Sequence, residues 1–203
     1  MRGLFVTLEG IDRSGKTTQA RLLCEALGEE ALGVREPGGT ELGERVRELL
    51  KDPQVTLAPE TEALLFAAAR AELVARVIRP ALERGKVVVS DRFLDSSLAY
   101  QGAARGLGVE EVEAINRFAT GGLVPDLTLL LSIAPAVAAA RAGDPDRFEG
   151  EGAELQERVL AAYDELAAAA PARWRRVDAA RPPEQVHADV LAEVEAARSG
   201  ARA

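Results

Sequence analysis

The chain has 203 residues, 47% of them hydrophobic and 29% charged, a composition typical of one globular domain. Its 33 acidic residues outnumber its 25 Lys and Arg, and the net charge of −8 argues against nucleic acid or an anionic membrane as the main partner. The single cysteine excludes a disulfide framework and favours a cytoplasmic location, and no apolar run approaches the roughly 18 residues that span a bilayer.

The first predicted strand, residues 4–9, leads into the sequence G-x-x-x-x-G-K-T at residues 10–17, and a helix is predicted over Lys16–Leu27. A strand, a glycine-rich loop and a helix N-terminus direct backbone N–H groups and partial positive charge at one point, where phosphates bind. The sequence therefore predicts a nucleoside triphosphate site. Its residues are Gly10, Ile11, Asp12, Arg13, Ser14, Gly15, Lys16 and Thr17. We expect a solvent-facing Lys16 to reach the β- and γ-phosphates and the Thr17 hydroxyl to bind Mg²⁺.

The next segments alternate between strand and helix patterns. A short element ends at Val34 and is followed by the loop 35–40, after which a helix is predicted over residues 40–51 with Thr40 as its N-cap. A long helical pattern begins near Pro59 and stops at Gly85, and Pro80 is expected to kink or end it.

A fully apolar, β-branched strand at residues 87–89 is followed directly by Asp91 and Arg92. An acidic residue at the end of a strand beside the phosphate loop holds the metal ion in P-loop proteins, so Asp91 is the second predicted Mg²⁺ residue. Arg92 stands where an ATP-driven motor would usually carry a carboxylate that activates water. A guanidinium there suits a second phosphate group instead.

Further strands are predicted at residues 127–133 and 174–177, with a last helix at 184–197. This order of strands and helices predicts an α/β fold, an open doubly wound parallel sheet with flanking helices, as one domain over residues 1–203. Residues 143–152 are rich in Gly, Asp and Pro and are expected to form a long mobile loop.

Several motifs together resemble those of the thymidylate kinase family, a group of P-loop nucleotide kinases. They follow one another along nearly the whole chain: Asp12-Arg13 in the phosphate loop, REPGGT at 35–40, LLFAAAR at 64–70, DRF at 91–93, SSLAYQG at 96–102, PDLT at 125–128 and DRFE at 146–149. The resemblance implies ATP as phosphoryl donor, dTMP as acceptor, a place in dTTP synthesis and a homodimer. It also implies a short lid at about residues 141–152.

Two groups of residues spaced for one helix face bear on the acceptor nucleotide. Phe66 and Arg70 are four apart, and the resemblance implies that Phe66 stacks on thymine while Arg70 bonds its O4. Ser97 is three and four residues before Tyr100 and Gln101. By resemblance Ser97 reads the base edge, Tyr100 packs where a 2′-hydroxyl would lie, and Gln101 is near the same pocket.

The remaining roles concern phosphates. The resemblance places Asp12 near the acceptor's 3′-hydroxyl, Arg92 on its 5′-phosphate and Glu36 in the acceptor site. The predicted catalytic residues are Lys16, Arg13, Arg92 and Arg147, with Arg141 as a second candidate for the lid arginine.

Two alternatives remain at the level of the sequence. One is a kinase for another nucleoside monophosphate or for a deoxynucleoside, in which Glu36 could serve as general base for a 5′-hydroxyl. The other is a GTP-dependent switch, which would need a guanine-reading N/T-K-x-D run that the chain lacks.

Overall fold

The structure of the protein, a computed structural model, describes residues 2–141 and 152–200. Within these residues five parallel strands form one sheet in the order β2-β3-β1-β4-β5. The strands are β1 (Phe5–Glu9), β2 (Ala31–Arg35), β3 (Val87–Asp91), β4 (Leu127–Ser132) and β5 (Trp174–Asp178). The all-parallel sheet with helices around it confirms the predicted α/β fold class.

The helices cover both faces of this sheet. They are α1 (Lys16–Leu27), α2 (Glu41–Lys51), α3 (Pro59–Leu73), α4 (Arg79–Glu83), α5 (Leu94–Ser97), α6 (Val109–Thr120), α7 (Pro135–Ala139), α8 (Ala153–Ala169) and α9 (Pro183–Gly200). Every residue of β1 is buried, because Val6 and Leu8 face one apolar cluster and Phe5 faces another. Such burial on both faces is typical of a strand in a parallel sheet covered by helices on both sides.

The register of the central strands brings the predicted phosphate loop and the predicted acidic residue together. Leu8 pairs with Asp91 on one side and with Leu129 on the other. The loop after β1 and the end of β3 therefore meet at the carboxyl edge of the sheet, where ligands bind in open α/β folds.

The start of α2 agrees with its local signal, whereas the helix that contains Pro80 does not end there. α2 begins after Thr40, whose side chain accepts a hydrogen bond from the Gly43 N–H at 3.0 Å, as expected of an N-cap. Pro80 does not end its helix: α3 continues through a π-helical turn, Val74–Ile78, into α4. The wider turn lies directly before the proline, where the missing N–H and the pyrrolidine ring disturb an ordinary α-helical turn.

Candidate functional site

A cavity of about 360 Å³ opens at the carboxyl edge of β1 and β3. Its wall contains all eight residues that the sequence assigns to the acceptor: Asp12, Glu36, Phe66, Arg70, Arg92, Ser97, Tyr100 and Gln101. Arg13, Lys16, Thr17 and Asp91 line it as well. Side chains from four separate segments of the chain thus converge on one space next to the phosphate loop. We call this space the acceptor cavity.

The phosphate loop has the backbone geometry that its glycines permit. Gly10 has a φ of 142°, and a Cβ there would lie 2.7 Å from the Leu131 carbonyl oxygen, so a larger residue would collide with β4. Gly15, the residue before α1, is left-handed with a φ of 102°. The loop therefore approaches the sheet closely and turns directly into the helix.

Lys16 folds back onto this loop. Its ammonium donates to the Ile11 carbonyl at 2.7 Å, to the Gly10 carbonyl at 3.1 Å and to Ser14 Oγ at 3.3 Å. The expectation of a solvent-facing side chain was wrong, since only 6% of Lys16 is exposed. Burial, and next the positive charge of Arg92, lower its pKa from 10.5 to about 8.

Thr17 and Asp91 meet, as predicted for a shared metal site. The Thr17 hydroxyl donates to Asp91 Oδ2 at 2.5 Å, and both side chains line the acceptor cavity. One hydroxyl and one carboxylate are hard oxygen ligands, and Mg²⁺ bound with phosphates commonly uses only one or two protein oxygens beside water. The residues present fit a Mg²⁺ ion held jointly with a nucleotide.

Arg92 lines the acceptor cavity. Its backbone is in the left-handed region, with a φ of 71°. Its guanidinium forms an ion pair with Asp12 and lies 5.1 Å from the centre of the Tyr100 ring. It also donates to the Gly10 carbonyl at 3.2 Å and to Ser96 Oγ at 3.0 Å. The predicted phosphate-binding arginine is therefore fixed on several sides.

Arg70 is the largest fully buried side chain described, with 1% exposure. Its Nε donates to Glu36 Oε2 at 2.7 Å, one Nη to Ser97 Oγ at 3.1 Å, and the other Nη to the Phe93 carbonyl at 3.1 Å. A further hydrogen bond joins it to Asn116. The guanidinium is held by partners from three segments of the chain, and Arg70 also lines the cavity.

Three other predicted residues complete the cavity wall. Phe66 packs against the small apolar cluster around Leu50. Gln101 is buried and donates to Glu62 Oε1 at 2.9 Å. Glu36 uses one oxygen for Arg70, whereas its Oε1 has no hydrogen-bond partner among the described residues. Burial raises the pKa of Glu36, and Arg70 opposes that rise.

A second cavity, of about 480 Å³, lies on the other side of the phosphate loop. It shares Arg13, Lys16 and Thr17 with the acceptor cavity and extends along the start of α1 to Arg141 and Arg181. Arg13 and Arg141 hydrogen-bond each other's backbone. Arg13 Nη1 donates to the Arg141 carbonyl at 3.1 Å, and Arg141 Nη1 donates to the Arg13 carbonyl at 3.0 Å. We call this space the donor cavity.

Three residues that bind the predicted site residues were not themselves predicted from the sequence. Gln156 on α8 accepts from the Asp12 N–H at 3.1 Å and donates to Asp12 Oδ2 at 2.7 Å. Asn116 on α6 binds Arg70, and Ser96 binds Arg92. Only Ser96 carried a usable signal, since it lies four residues after Arg92. The predicted Arg147 falls in 142–151, outside the described residues.

No helix in the described parts of the chain combines the length and apolar character needed to cross a membrane. A family model described as thymidylate kinase matches residues 8–190. The thymidylate kinase of Pelotomaculum thermopropionicum is 52% identical over 201 residues, covering 94% of this chain and 92% of its own. That of Deinococcus radiodurans is 49% identical over 199 residues, covering 95% and 97%. That of Caldanaerobacter subterraneus subsp. tengcongensis is 45% identical and covers both chains fully.

Proposed function

The chain belongs to the thymidylate kinase family, and from this membership we propose how its residues carry out the family's reaction. The protein is a nucleoside monophosphate kinase that transfers the γ-phosphoryl group of ATP to dTMP, giving dTDP and ADP. An oxygen of the dTMP phosphate forms a bond to the γ-phosphorus, and the bond from that phosphorus to the β–γ bridging oxygen breaks. ADP leaves with the electron pair of the broken bond.

We assign ATP to the donor cavity and the phosphate loop. The loop N–H groups and the N-terminus of α1 would cradle the β- and γ-phosphates. Lys16, which now donates to the Gly10 and Ile11 carbonyls, would exchange those bonds for phosphate oxygens. Arg13 lines both cavities, which suits a residue that acts on the transferring group between them.

Mg²⁺ belongs to this proposal because Thr17 and Asp91 form a fitting pair of oxygen ligands. When bound, the ion would neutralise charge on the β- and γ-phosphates. Thr17 Oγ1 and Asp91 Oδ2, which share a hydrogen bond, would hold it from the protein side.

In the acceptor cavity we assign the thymine base to the wall formed by Phe66, Arg70, Ser97 and Gln101. Phe66 offers an aromatic surface on which a base can stack. Arg70 donates to the Ser97 hydroxyl, and both side chains face the cavity. Ser97 keeps its own hydrogen for O4, and Arg70 would exchange one of its present partners to donate there as well. Glu36 Oε1 is left to accept a hydrogen bond from the ligand or from a water molecule.

The sugar and phosphate of dTMP lie, in this proposal, beside Tyr100, Asp12 and Arg92. Tyr100 is buried and crowds the cavity next to Arg92, which suits a residue that excludes a 2′-hydroxyl. Asp12 would accept the 3′-hydroxyl, and Arg92 would bind the 5′-phosphate. The attacking phosphate oxygen is already ionised at neutral pH, so no general base is required. Positioning and charge neutralisation carry the reaction.

Exclusion of water is assigned to the lid at about residues 141–152, with Arg147 closing over the phosphates. Arg141 already contacts the phosphate loop through the Arg13 carbonyl and is the second candidate. The lid and Arg147 stay predictions from the sequence.

A homodimer and a cytoplasmic location are likewise proposals. α3 and α6 pack against each other, and each exposes a large apolar side chain, Leu64 at 55% and Phe118 at 92%. Exposed aromatic and aliphatic side chains on neighbouring helices are typical of subunit contacts. Light scattering of the wild type and of Phe118→Ser tests this: we expect a dimer that the substitution weakens, and a wild-type monomer would contradict it.

The observation that carries the proposal is the junction of the two cavities at Arg13, Lys16 and Thr17. A coupled ADP-release assay tests it with dTMP, dUMP, dCMP, UMP, AMP, GMP and thymidine at equal concentrations. We expect dTMP to give the highest kcat/KM and dUMP, which lacks only a methyl group, to be roughly 10–200-fold lower. A faster reaction with thymidine than with dTMP would instead favour a deoxynucleoside kinase with Glu36 as base.

A further inference from the structure

Glu9, the last residue of β1, is a fully buried carboxylate that the proposed phosphoryl transfer does not use. It accepts three hydrogen bonds: from the Phe93 N–H at 2.8 Å, from Ser96 Oγ at 2.6 Å and from the Tyr163 hydroxyl at 2.8 Å. These donors come from the segment after β3, from α5 and from α8. An apolar side chain would be easier to bury than a carboxylate, so this network calls for a reason beyond packing.

Two of the three donors, Phe93 and Ser96, follow Arg92 closely in the chain. Phe93 follows Arg92 directly, so the bond from its N–H fixes the backbone just after the left-handed residue. Ser96 donates to Glu9 and accepts from Arg92 Nη1 at 3.0 Å, which links the carboxylate to the guanidinium through one hydroxyl. A left-handed, non-glycine residue persists only where its surroundings hold it. Glu9 therefore helps to fix both the backbone after Arg92 and, through Ser96, the Arg92 side chain.

We propose that Glu9 is a positioning residue that keeps the Arg92 guanidinium directed at the acceptor's phosphate. The proposal rests on the role of Arg92 given under the proposed function. Asp12 and Tyr100 restrain the Nη2 side of the guanidinium, and Glu9 restrains the Nη1 side through Ser96. Loss of Glu9 should therefore weaken binding of dTMP and leave ATP, which binds mainly to the phosphate loop, nearly unaffected.

Glu9→Gln, assayed at pH 8, is the informative change because it keeps the shape and removes the charge. Its amide group would direct hydrogens towards Ser96 and Tyr163, whose hydroxyls now donate to the carboxylate. We expect the KM for dTMP to rise about tenfold or more, with less than a threefold change in kcat and less than a twofold change in the KM for ATP. Equal changes in both KM values, or none, would overturn the proposal.

Asp95→Asn is the matched control. Asp95 is as buried as Glu9 and lies three residues after Arg92, but its carboxylate binds Arg173, with both oxygens at 2.7 Å. This variant should lose thermal stability and keep the wild-type KM for dTMP. A rise in its KM for dTMP equal to that of Glu9→Gln would mean that any buried carboxylate here acts through stability alone, which contradicts the proposal.

A double-mutant cycle with Arg92→Ala separates the two claims. Calorimetric titration with dTMP gives the dissociation constant of each variant without requiring turnover. If Glu9 acts through Arg92, adding Glu9→Gln to Arg92→Ala changes that constant by less than twofold, and a persisting tenfold effect overturns the proposal. If Arg92→Ala alone binds dTMP like the wild type, the role of Arg92 itself is wrong. Should Glu9→Gln fail to fold, Ser96→Ala removes only the bridge and enters the same cycle with the same two outcomes.

Discussion

The two cavities on either side of the phosphate loop are built in different ways. On the donor side, side chains bind mainly to backbone groups. Arg13 and Arg141, for example, each donate a hydrogen bond to the backbone carbonyl of the other. The acceptor side is built from buried side chains that already bind one another, with Arg70 held by Glu36, Ser97 and Asn116. In the proposed function, one side binds phosphates in general, and the other presents the base with side chains whose orientation is fixed beforehand.

This difference indicates where selectivity comes from. Backbone N–H groups and a helix N-terminus bind any phosphate chain, so the donor side alone cannot distinguish acceptors. A buried arginine with its donors oriented beforehand penalises a base that presents a donor in return, because one polar group then stays unpaired. On this proposal, selectivity for the acceptor is part of the folded core, and substitutions on the two sides should have different consequences.

The largest effect is expected from Arg70→Met, on stability. The substitution leaves the Glu36 carboxylate buried without its ion pair, which costs about 3–5 kcal/mol when one partner of a buried pair is removed. Chemical denaturation measures the free energy of unfolding. Adding Glu36→Gln should recover much of the loss, and an Arg70→Met variant as stable as the wild type would show that the acceptor side is not part of the core.

Lys16→Ala should affect activity instead of stability. Removing an electrostatic contact to the transferring phosphates costs on the order of 10²–10³ in kcat. Burial lowers the pKa of Lys16, so the folded state disfavours its charge and its removal should not lower the melting temperature. Lys86→Ala, remote from both cavities, is the control. More than about a tenth of wild-type turnover in Lys16→Ala would contradict the phosphate-loop assignment.

The raised pKa of Glu9 predicts that the stability of the protein depends on pH. Burial, and next the charge of Asp95, raise its pKa from 4.5 to about 7. Between these two values the folded state holds a proton that the unfolded state has lost, so stability falls as the pH rises through this window. The loss is on the order of 3 kcal/mol, and it is complete above pH 7. Unfolding free energies at pH 5 and pH 8 should differ less in Glu9→Gln than in the wild type, and an equal difference would contradict this.

The smallest effect concerns the sugar. Tyr100→Ala should narrow the ratio of kcat/KM between dTMP and its ribose counterpart by about tenfold, roughly 1.4 kcal/mol, because space opens for a 2′-hydroxyl. Tyr100→Phe keeps the ring and should preserve the wild-type ratio. If Tyr100→Ala also preserves it, Tyr100 is a packing residue and the choice of sugar lies elsewhere.

The two sides also differ in how far the sequence predicts them. The phosphate loop is contiguous, so its residue types and the flanking strand and helix predict a phosphate site directly. Most of the acceptor side needed resemblance to a family, because Glu36, Phe66 and Ser97 come from separate segments. Their roles stay predictions, although the fold brings them to one cavity.

What the sequence missed has physical causes. Asn116 is 46 residues from Arg70, and Gln156 is 144 residues from Asp12, and no local pattern reports such a contact. The predicted position of the Lys16 side chain was wrong, because a motif fixes the backbone and does not determine where a long side chain lies without a ligand. Pro80 was expected to kink or end the helix, and whether a π-helical turn relieves the clash depends on packing.

The central claim is that the acceptor cavity reads the base before any phosphoryl transfer takes place. Calorimetric titration of dTMP and of dCMP into the wild-type protein, without ATP or Mg²⁺, tests it most directly. We predict that dTMP binds and that dCMP binds at least tenfold more weakly. In the proposed pose its amino group would face Arg70, which has no acceptor, so one donor would stay unpaired at a cost of roughly 1–3 kcal/mol. Equal dissociation constants for the two nucleotides, or dTMP binding that requires ATP, would contradict the claim.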